Sequence, residues 1–367
     1  MADYQDRILH LTGTPYEAGL AAARELGPRL EATIQHYITS MEDSSDMGKL
    51  HAGALPWLRR LPVRFQEELH GLAEGANVPL ERLAEWSYIE ECEKKLCSGA
   101  VCSLNNHVWV ARNNDTYVPE LWGYVTIHEV TGRIPSISFS MEGDVFTPTG
   151  INQERLWLHY NFLPVWDAPA TGKPHLPAFV FLTEALEVCR DISDVEAFLR
   201  DTDRDSGMLL FAVDCKTGEF ALFDCLCSRH YRRDPKEGWI VGTNHYCTCE
   251  DPTLGDDEGS VSTLNRFQRV ETLVRALSTR SAAEELPADL IRILADEGVE
   301  RRGQKLSTAY ANVACPETGE IWYTFGGYPA ASKGNWGKLE WPWGEPPSQN
   351  HINHDYSPKG YGHPVRA

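Results

Sequence analysis

The sequence predicts an α+β fold in which sheets are covered by helices, rather than a parallel βαβ wind. Three observations predict it. The first ninety-odd residues carry helical spacing and helix-start signals. After Cys97 the texture turns to β-branched and apolar runs punctuated by turn residues. Strands, then helices, then strands again follow down to Phe325.

Each element has its own signal. Thr14 can cap a helix, Pro15 suits its first position and Glu17 can reach back in a capping box. Leu20, Ala23 and Leu26 recur at helical spacing until Gly27-Pro28 stops the run. A second helix is expected over Leu30–Met41, then a polar surface loop from Glu42 to Gly53. Further helices are expected from Pro62 to Glu74, ending at Gly75, and from Pro79 on, with Leu80, Leu83, Trp86 and Ile89 on one face. Asn105-Asn106 reads as a hairpin turn inside Val101–Arg112. Strands are expected at 122–130, 135–141, Arg155–Asn161, Met208–Asp214, Glu219–Cys225 and Trp239–Asn244, with Lys216-Thr217-Gly218 as a second turn. Helices fit Phe179–Arg190, Ser193–Asp201, Thr263–Ser278 and Ala288–Asp296, with a loop at Asp251–Ser260. A last hairpin joins Thr308–Cys315 to Ile321–Phe325 through Pro316–Gly319. From Ala331 the chain is rich in Trp, Pro and His. It either drapes over the core by its Trp side chains or is disordered, and the Trp content favours draping.

Composition excludes several functions. Against 34 Lys and Arg stand 53 Asp and Glu, a formal charge of −19, so no basic face for nucleic acid is expected. No run of about 18 apolar residues is present, so no bilayer span is expected. The start Met1–Arg7 lacks a basic end with an apolar run behind it, so a secretory signal is not expected and a cytoplasmic location is. In such a compartment the 10 cysteines are thiols rather than a disulfide framework. Cys225-x-Cys227 with Cys247-x-Cys249 could make a zinc site, but positions two apart on a strand share a face, and core pairs are the favoured account. His351, His354, Asp355 and His363 read as an ordinary polar tail. No metal or cofactor is expected.

Chemistry concentrates around Cys97. A second cysteine, Cys102, follows at 102 − 97 = 5, and Asn113 and Asp115 at +16 and +18, within Arg112-Asn113-Asn114-Asp115. This pattern resembles the N-terminal-nucleophile cysteine hydrolases of the acyl-CoA:6-aminopenicillanate acyltransferase family, and more distantly the choloylglycine hydrolases. The resemblance extends in order along residues 10–330. It takes in Gly13-Thr14-Pro15-Tyr16-Glu17-Ala18-Gly19, Gly71–Ala76, Asn152 with Leu156 and Asn161-Phe162, Thr243-Asn244-His245, and Ser262, Arg266, Phe267 and Arg269. Leu96 and Arg155 stand where the family has Gly, and Ser98 where it has Thr.

The resemblance implies a four-layer αββα sandwich and a chain that cuts itself between Leu96 and Cys97. Residues 1–96 would then form a small chain, 97–330 the catalytic core and 331–367 a C-terminal tail. The freed α-amine of Cys97, with an ordinary pKa of about 7.7–8.0, would act as base for its own thiol. The thiolate would attack a linear non-peptide amide and form a thioester. By the same resemblance Asp115 would hold the amine, Arg112 would favour the thiolate, Asn161 and Asn244 would serve the oxyanion, and Arg266 would support the site. The implied partner is a small-molecule amide, or acyl-CoA if the acyl group passes to an amine. Neither nucleic acid nor membrane is implied, and a homo-oligomer is compatible. A catalytically idle zinc-stabilised scaffold is the alternative from another class.

Overall fold

The structure, a computed structural model, describes residues 7–42, 47–93, 96–279 and 285–344. Strand β1 (Ile8–Gly13) precedes five helices: α1 (Pro15–Leu26), α2 (Pro28–Met41), α3 (Met47–Arg60), α4 (Val63–Ala76) and α5 (Leu80–Cys92). A run of strands follows: β2 (Leu96–Leu104), β3 (His107–Tyr117), β4 (Trp122–Val130), β5 (Ser136–Met141), β6 (Thr149–Asn152), β7 (Leu156–Leu163) and β8 (His175–Leu176). Helices α6 (Ala178–Val188) and α7 (Ile192–Asp201) lead to β9 (Asp203–Arg204), β10 (Gly207–Asp214), β11 (Glu219–Cys225), β12 (His230–Arg233) and β13 (Trp239–Gly242). Helices α8 (Glu258–Ser278) and α9 (Ala288–Leu294), strands β14 (Leu306–Cys315) and β15 (Glu320–Phe325), the single turn α10 (Ala330–Lys333) and β16 (Asn335–Leu339) complete it.

Two large sheets result. The first runs β1-β4-β5-β6-β7-β10-β11-β12 and the second β13-β2-β3-β14-β15-β16. They face each other, with β2 against β7 and β4 against β14 and β15. Helices α6 and α7 cover the outer side of the first sheet, and α8, α9 and α10 that of the second, which gives the αββα layering. Between the layers Trp122 and Trp157 are fully buried. Each indole removes on the order of 200 Å² from water, about 5 kcal/mol of gross apolar stabilisation.

The capping box at Thr14 and Glu17 is present, with Pro15 in the first turn. Helices α1 and α4 cross at their glycines: a Cβ on Gly19 would collide with the Glu68 carbonyl, and one on Gly71 with that of Tyr16. This close approach explains the glycine pattern near both ends of the first segment. A buried cluster ties α4 to the core, Arg64 pairing with Glu68 and donating Nε to Glu187 of α6 at 2.7 Å. Arg155 adopts the left-handed conformation, φ 60°, and donates to the Glu317 carbonyl at 2.8 Å.

Several expectations need correction. The first segment is not all helical, because β1 lies at the edge of the first sheet, parallel to β4. The polar stretch expected as a loop to Gly53 is helical from Met47, since tertiary packing overrides propensity there. Gly53 lies under Tyr88, whose ring a Cβ would strike. Helix α4 passes Gly75 and ends at Asn77, which takes the left-handed cap conformation. The chain after Ala331 continues the second sheet as β16, paired with β15. Trp343 then donates Nε1 to Glu129 at 3.0 Å and meets Trp341 edge-on. His351, His354, Asp355 and His363 lie outside the described residues. No helix among the described residues is long and apolar enough to cross a membrane.

Candidate active site

The β2–β3 hairpin sets the geometry. Asn105 and Asn106 both have positive φ, 52° and 63°, as a two-residue primed turn requires. Counting back from that turn places Cys97 opposite Asn114 and Gly99 opposite Arg112. Side chains alternate across a strand, so Cys97, Arg112 and Asn114 share the face toward the first sheet. Ser98, Asn113 and Asp115 take the other face, toward α8 and α9. Gly99 admits the first sheet closely: a Cβ there would lie 2.7 Å from His159 Nε2.

Cys97 is 1% exposed, and side chains distant in sequence engage each of its polar atoms. Its backbone N–H donates to Asn244 Oδ1 at 2.9 Å. Its carbonyl accepts from Arg266 at 2.6 Å. Its sulfur lies 3.6 Å from an Arg112 nitrogen and 3.7 Å from Asn114 Oδ1. Arg266 continues to Ser98 Oγ and to Asn244 Oδ1, both at 2.9 Å. The α8 helix that carries Arg266 is tied to the same corner, because Thr263 Oγ1 accepts the Asn244 N–H at 2.7 Å.

The electrostatics are asymmetric. Arg112 is fully buried and donates only to neutral acceptors: Thr149 Oγ1, Asn114 Oδ1, the Pro148 and Tyr160 carbonyls, and the Cys97 sulfur. Among the described residues no carboxylate pairs with it. A buried guanidinium with neutral partners favours an anion beside it, and the Cys97 sulfur lies 3.6 Å from it. Asp115 is also fully buried; burial pushes its carboxyl up to about 6, against the pull of Arg266 4.0 Å away. Thr308 donates to its Oδ1 at 2.6 Å. Burial and the neighbouring Arg112 push His159 well below its ordinary value, so it is neutral between the sheets.

All six residues singled out from the sequence meet at one end of the sandwich, with different reach. Arg112 touches the sulfur. Arg266 and Asn244 hold the backbone of Cys97. Asp115 lies on the opposite face of the sheet and connects to Cys97 through Arg266. Asn161 donates to the carbonyls of Gly242 and Thr243, at 3.2 and 2.9 Å, and so orders the turn that carries Asn244. Asn113 faces away and donates to the Leu294 carbonyl of α9 at 2.9 Å. Sequence reasoning missed Thr149, Thr308 and Asn114. Period-two alternation within Arg112–Asp115 was the available signal for Asn114. Among the described residues no group of three or more His, Cys, Asp or Glu is arranged to hold a metal, so the two C-x-C pairs form no such group.

No protein-family profile matches the chain, including that of the acyltransferases its motifs resemble, and no curated protein matches it. The solved structures that are similar to it include the following. The C2A mutant of conjugated bile acid hydrolase from Clostridium perfringens is 16% identical, covers 71% of this chain and 100% of its own, and has a TM-score of 0.47. Penicillin V acylase from Agrobacterium tumefaciens is 14% identical over 66% of this chain and 86% of its own, TM-score 0.46. The Caenorhabditis elegans ortholog of N-acylethanolamine-hydrolyzing acid amidase is 14% identical over 60% and 93%, TM-score 0.45.

Proposed function

We propose that the chain is a self-processing cysteine amidohydrolase that cleaves a linear non-peptide amide through a thioester on Cys97. One observation carries this reading: Asn244, Arg266 and Arg112, from three separate elements, converge on the nitrogen, carbonyl and sulfur of a single buried cysteine. Any buried residue needs partners for its backbone, but a cysteine that merely fills space needs no guanidinium at its sulfur.

In this mechanism water hydrolyses the Leu96–Cys97 bond, leaving a carboxylate on Leu96 and a free α-amine on Cys97, which donates a hydrogen bond to Asn244 Oδ1. The amine takes the thiol proton, and the Arg112 charge favours the thiolate. Sulfur adds to the amide carbon, and the carbonyl π pair moves to oxygen. Collapse expels the amine product, which takes the proton from the Cys97 amine. Water then adds to the thioester and releases the acid and the thiol. Asp115 positions Arg266 and through it the backbone of Cys97.

The segment before the cut is held on both sides. Glu91 accepts from the Ala178 and Phe179 N–H groups at the start of α6, at 2.9 and 3.3 Å. Glu93 accepts from the Tyr117 N–H at 3.1 Å and from the Tyr37 hydroxyl at 2.6 Å. After cleavage the contacts to Ala178, Phe179 and Tyr117 keep the small chain bound.

The test compares wild type with Cys97→Ala on a panel of N-acyl amides, with release of both acid and amine measured. The reading expects turnover in wild type only. Equal turnover in both, or none in either across the panel, refutes it. An added arm with acyl-CoA and a free amine tests transfer: a new amide would assign acyl transfer instead of hydrolysis.

A further inference from the structure

We propose that Asn114 is a further catalytic residue, donating an Nδ2–H hydrogen bond to the oxygen of the acyl group attached to Cys97. This rests on the reading of Cys97 as nucleophile and adds the donor which that reading otherwise lacks.

Asn114 sits directly across the hairpin from Cys97, fully buried on the same face. Its amide orientation is determined by its neighbour. Arg112 is a donor only, and it bonds Asn114 Oδ1 at 2.9 Å, so the oxygen must face the guanidinium. The same oxygen lies 3.7 Å from the Cys97 sulfur and accepts from the resting thiol. That leaves Nδ2, which is buried and finds no hydrogen-bond partner among the described residues. A buried donor left unpaired costs on the order of 1–3 kcal/mol, so it calls for an explanation.

The other amide nitrogens of the site are already occupied. Asn161 Nδ2 donates to the Gly242 and Thr243 carbonyls, and Asn244 Nδ2 to the Phe162 carbonyl at 2.9 Å. Asn114 Nδ2 is therefore the open donor beside the reacting sulfur. When sulfur bonds to the carbonyl carbon, the π pair passes to the oxygen, and the charge develops within reach of this amide. No proton needs to transfer: the Nδ2–H bond stabilises the oxyanion, which reforms the carbonyl as the amine leaves. Arg112 keeps the amide from turning.

Two reagents separate this role from general support of the thiol. Acylation of Cys97 by 4-nitrophenyl hexanoate passes through a tetrahedral oxyanion; alkylation by iodoacetamide does not. Both rates are read by mass spectrometry of the Cys97 peptide in wild type, Asn114→Ala and Asn114→Leu, alongside unfolding midpoints. Asn114→Leu keeps nearly the size and adds no charge beside Arg112 and the sulfur, so it carries the test if the alanine variant does not fold. The expected result is acylation slowed about 100-fold, with alkylation within about 3-fold of wild type. Rates that fall together, or acylation that does not fall, overturn the proposal. If Cys97 of wild type reacts with neither reagent, the reading of Cys97 as nucleophile fails, and that outcome overturns this proposal with it.

Discussion

Replacing Arg266 by Met should destabilise the protein, by an amount that depends on pH. The variant is best made with Cys97→Ala, where the chain stays in one piece and the Cys97 carbonyl is retained. Arg266 is the charged partner of the Cys97 carbonyl and Asn244 Oδ1, and it faces Asp115 at 4.0 Å. Losing two charge-assisted bonds from buried acceptors costs about 1.5–2 kcal/mol each, so about 3.5 kcal/mol in all. A second cost comes from Asp115. Its folded value, about 6, lies above the ordinary 3.8, so the stability it contributes is full below pH 4 and is lost as pH rises through about 6. Without Arg266 its value rises further, so less of the carboxyl ionises at neutral pH. At pH 7 wild type gains about 1.4 kcal/mol by ionising, one unit above its folded value, and the variant gains less. At pH 5 both are mostly protonated and this difference vanishes. Urea unfolding should therefore give a penalty of about 3.5 kcal/mol at pH 5, larger at pH 7 by up to about 1.4 kcal/mol. Adding Asp115→Asn should remove the pH dependence. A penalty equal at the two pH values would refute the coupling of Asp115 to Arg266.

Other outcomes follow from the same geometry. With the Cys97 amine as base, log kcat/KM should fall with a slope near one as pH drops below its ordinary range, and steepen below about pH 6 as Asp115 protonates. In Asp115→Asn the steepening should disappear, which a pH–rate profile checks. Asn113→Ala removes only the bond to the Leu294 carbonyl, so it should cost on the order of 1 kcal/mol in unfolding experiments and leave kcat/KM unchanged. Gly71→Ala places a methyl against the Tyr16 carbonyl and should destabilise by roughly 3 kcal/mol or more, seen as a lowered Tm. The two pieces expected after cleavage should coelute on gel filtration and separate only in denaturant, since Glu91, Glu93 and Arg64 bind the first segment to the core.

Much of this was legible in the residues. The capping box at Thr14, the Asn105-Asn106 turn and the alternation of β2 and β3 are local signals, written within a few residues of where they act. What escaped was mostly non-local. β1 is six residues long, and its partner β4 begins more than a hundred residues later, so no local signal marks it as a strand. α3 forms over a polar stretch because its later turns bury Ala54, Trp57 and Leu58 in the core. β16 exists because β15 offers an edge. At the site, ordered motifs pointed to Cys97, Arg112, Asp115, Asn161, Asn244 and Arg266, but not to which atoms face which. Asp115 stands on the far face of its strand, and the amides of Asn161 and Asn244 hold backbone carbonyls. Those distinctions arise from the register of two sheets packed together, which no single segment encodes.

The central claim is that Cys97 becomes the N-terminal nucleophile. N-terminal sequencing of the purified protein, with Cys97→Ala in parallel, tests it most directly. The account predicts a large fragment beginning Cys97-Ser98-Gly99-Ala100-Val101 in wild type, and an uncut chain in the variant. A wild-type preparation that hydrolyses amides while its only N-terminus precedes Cys97, or a cut that persists in Cys97→Ala, would contradict it.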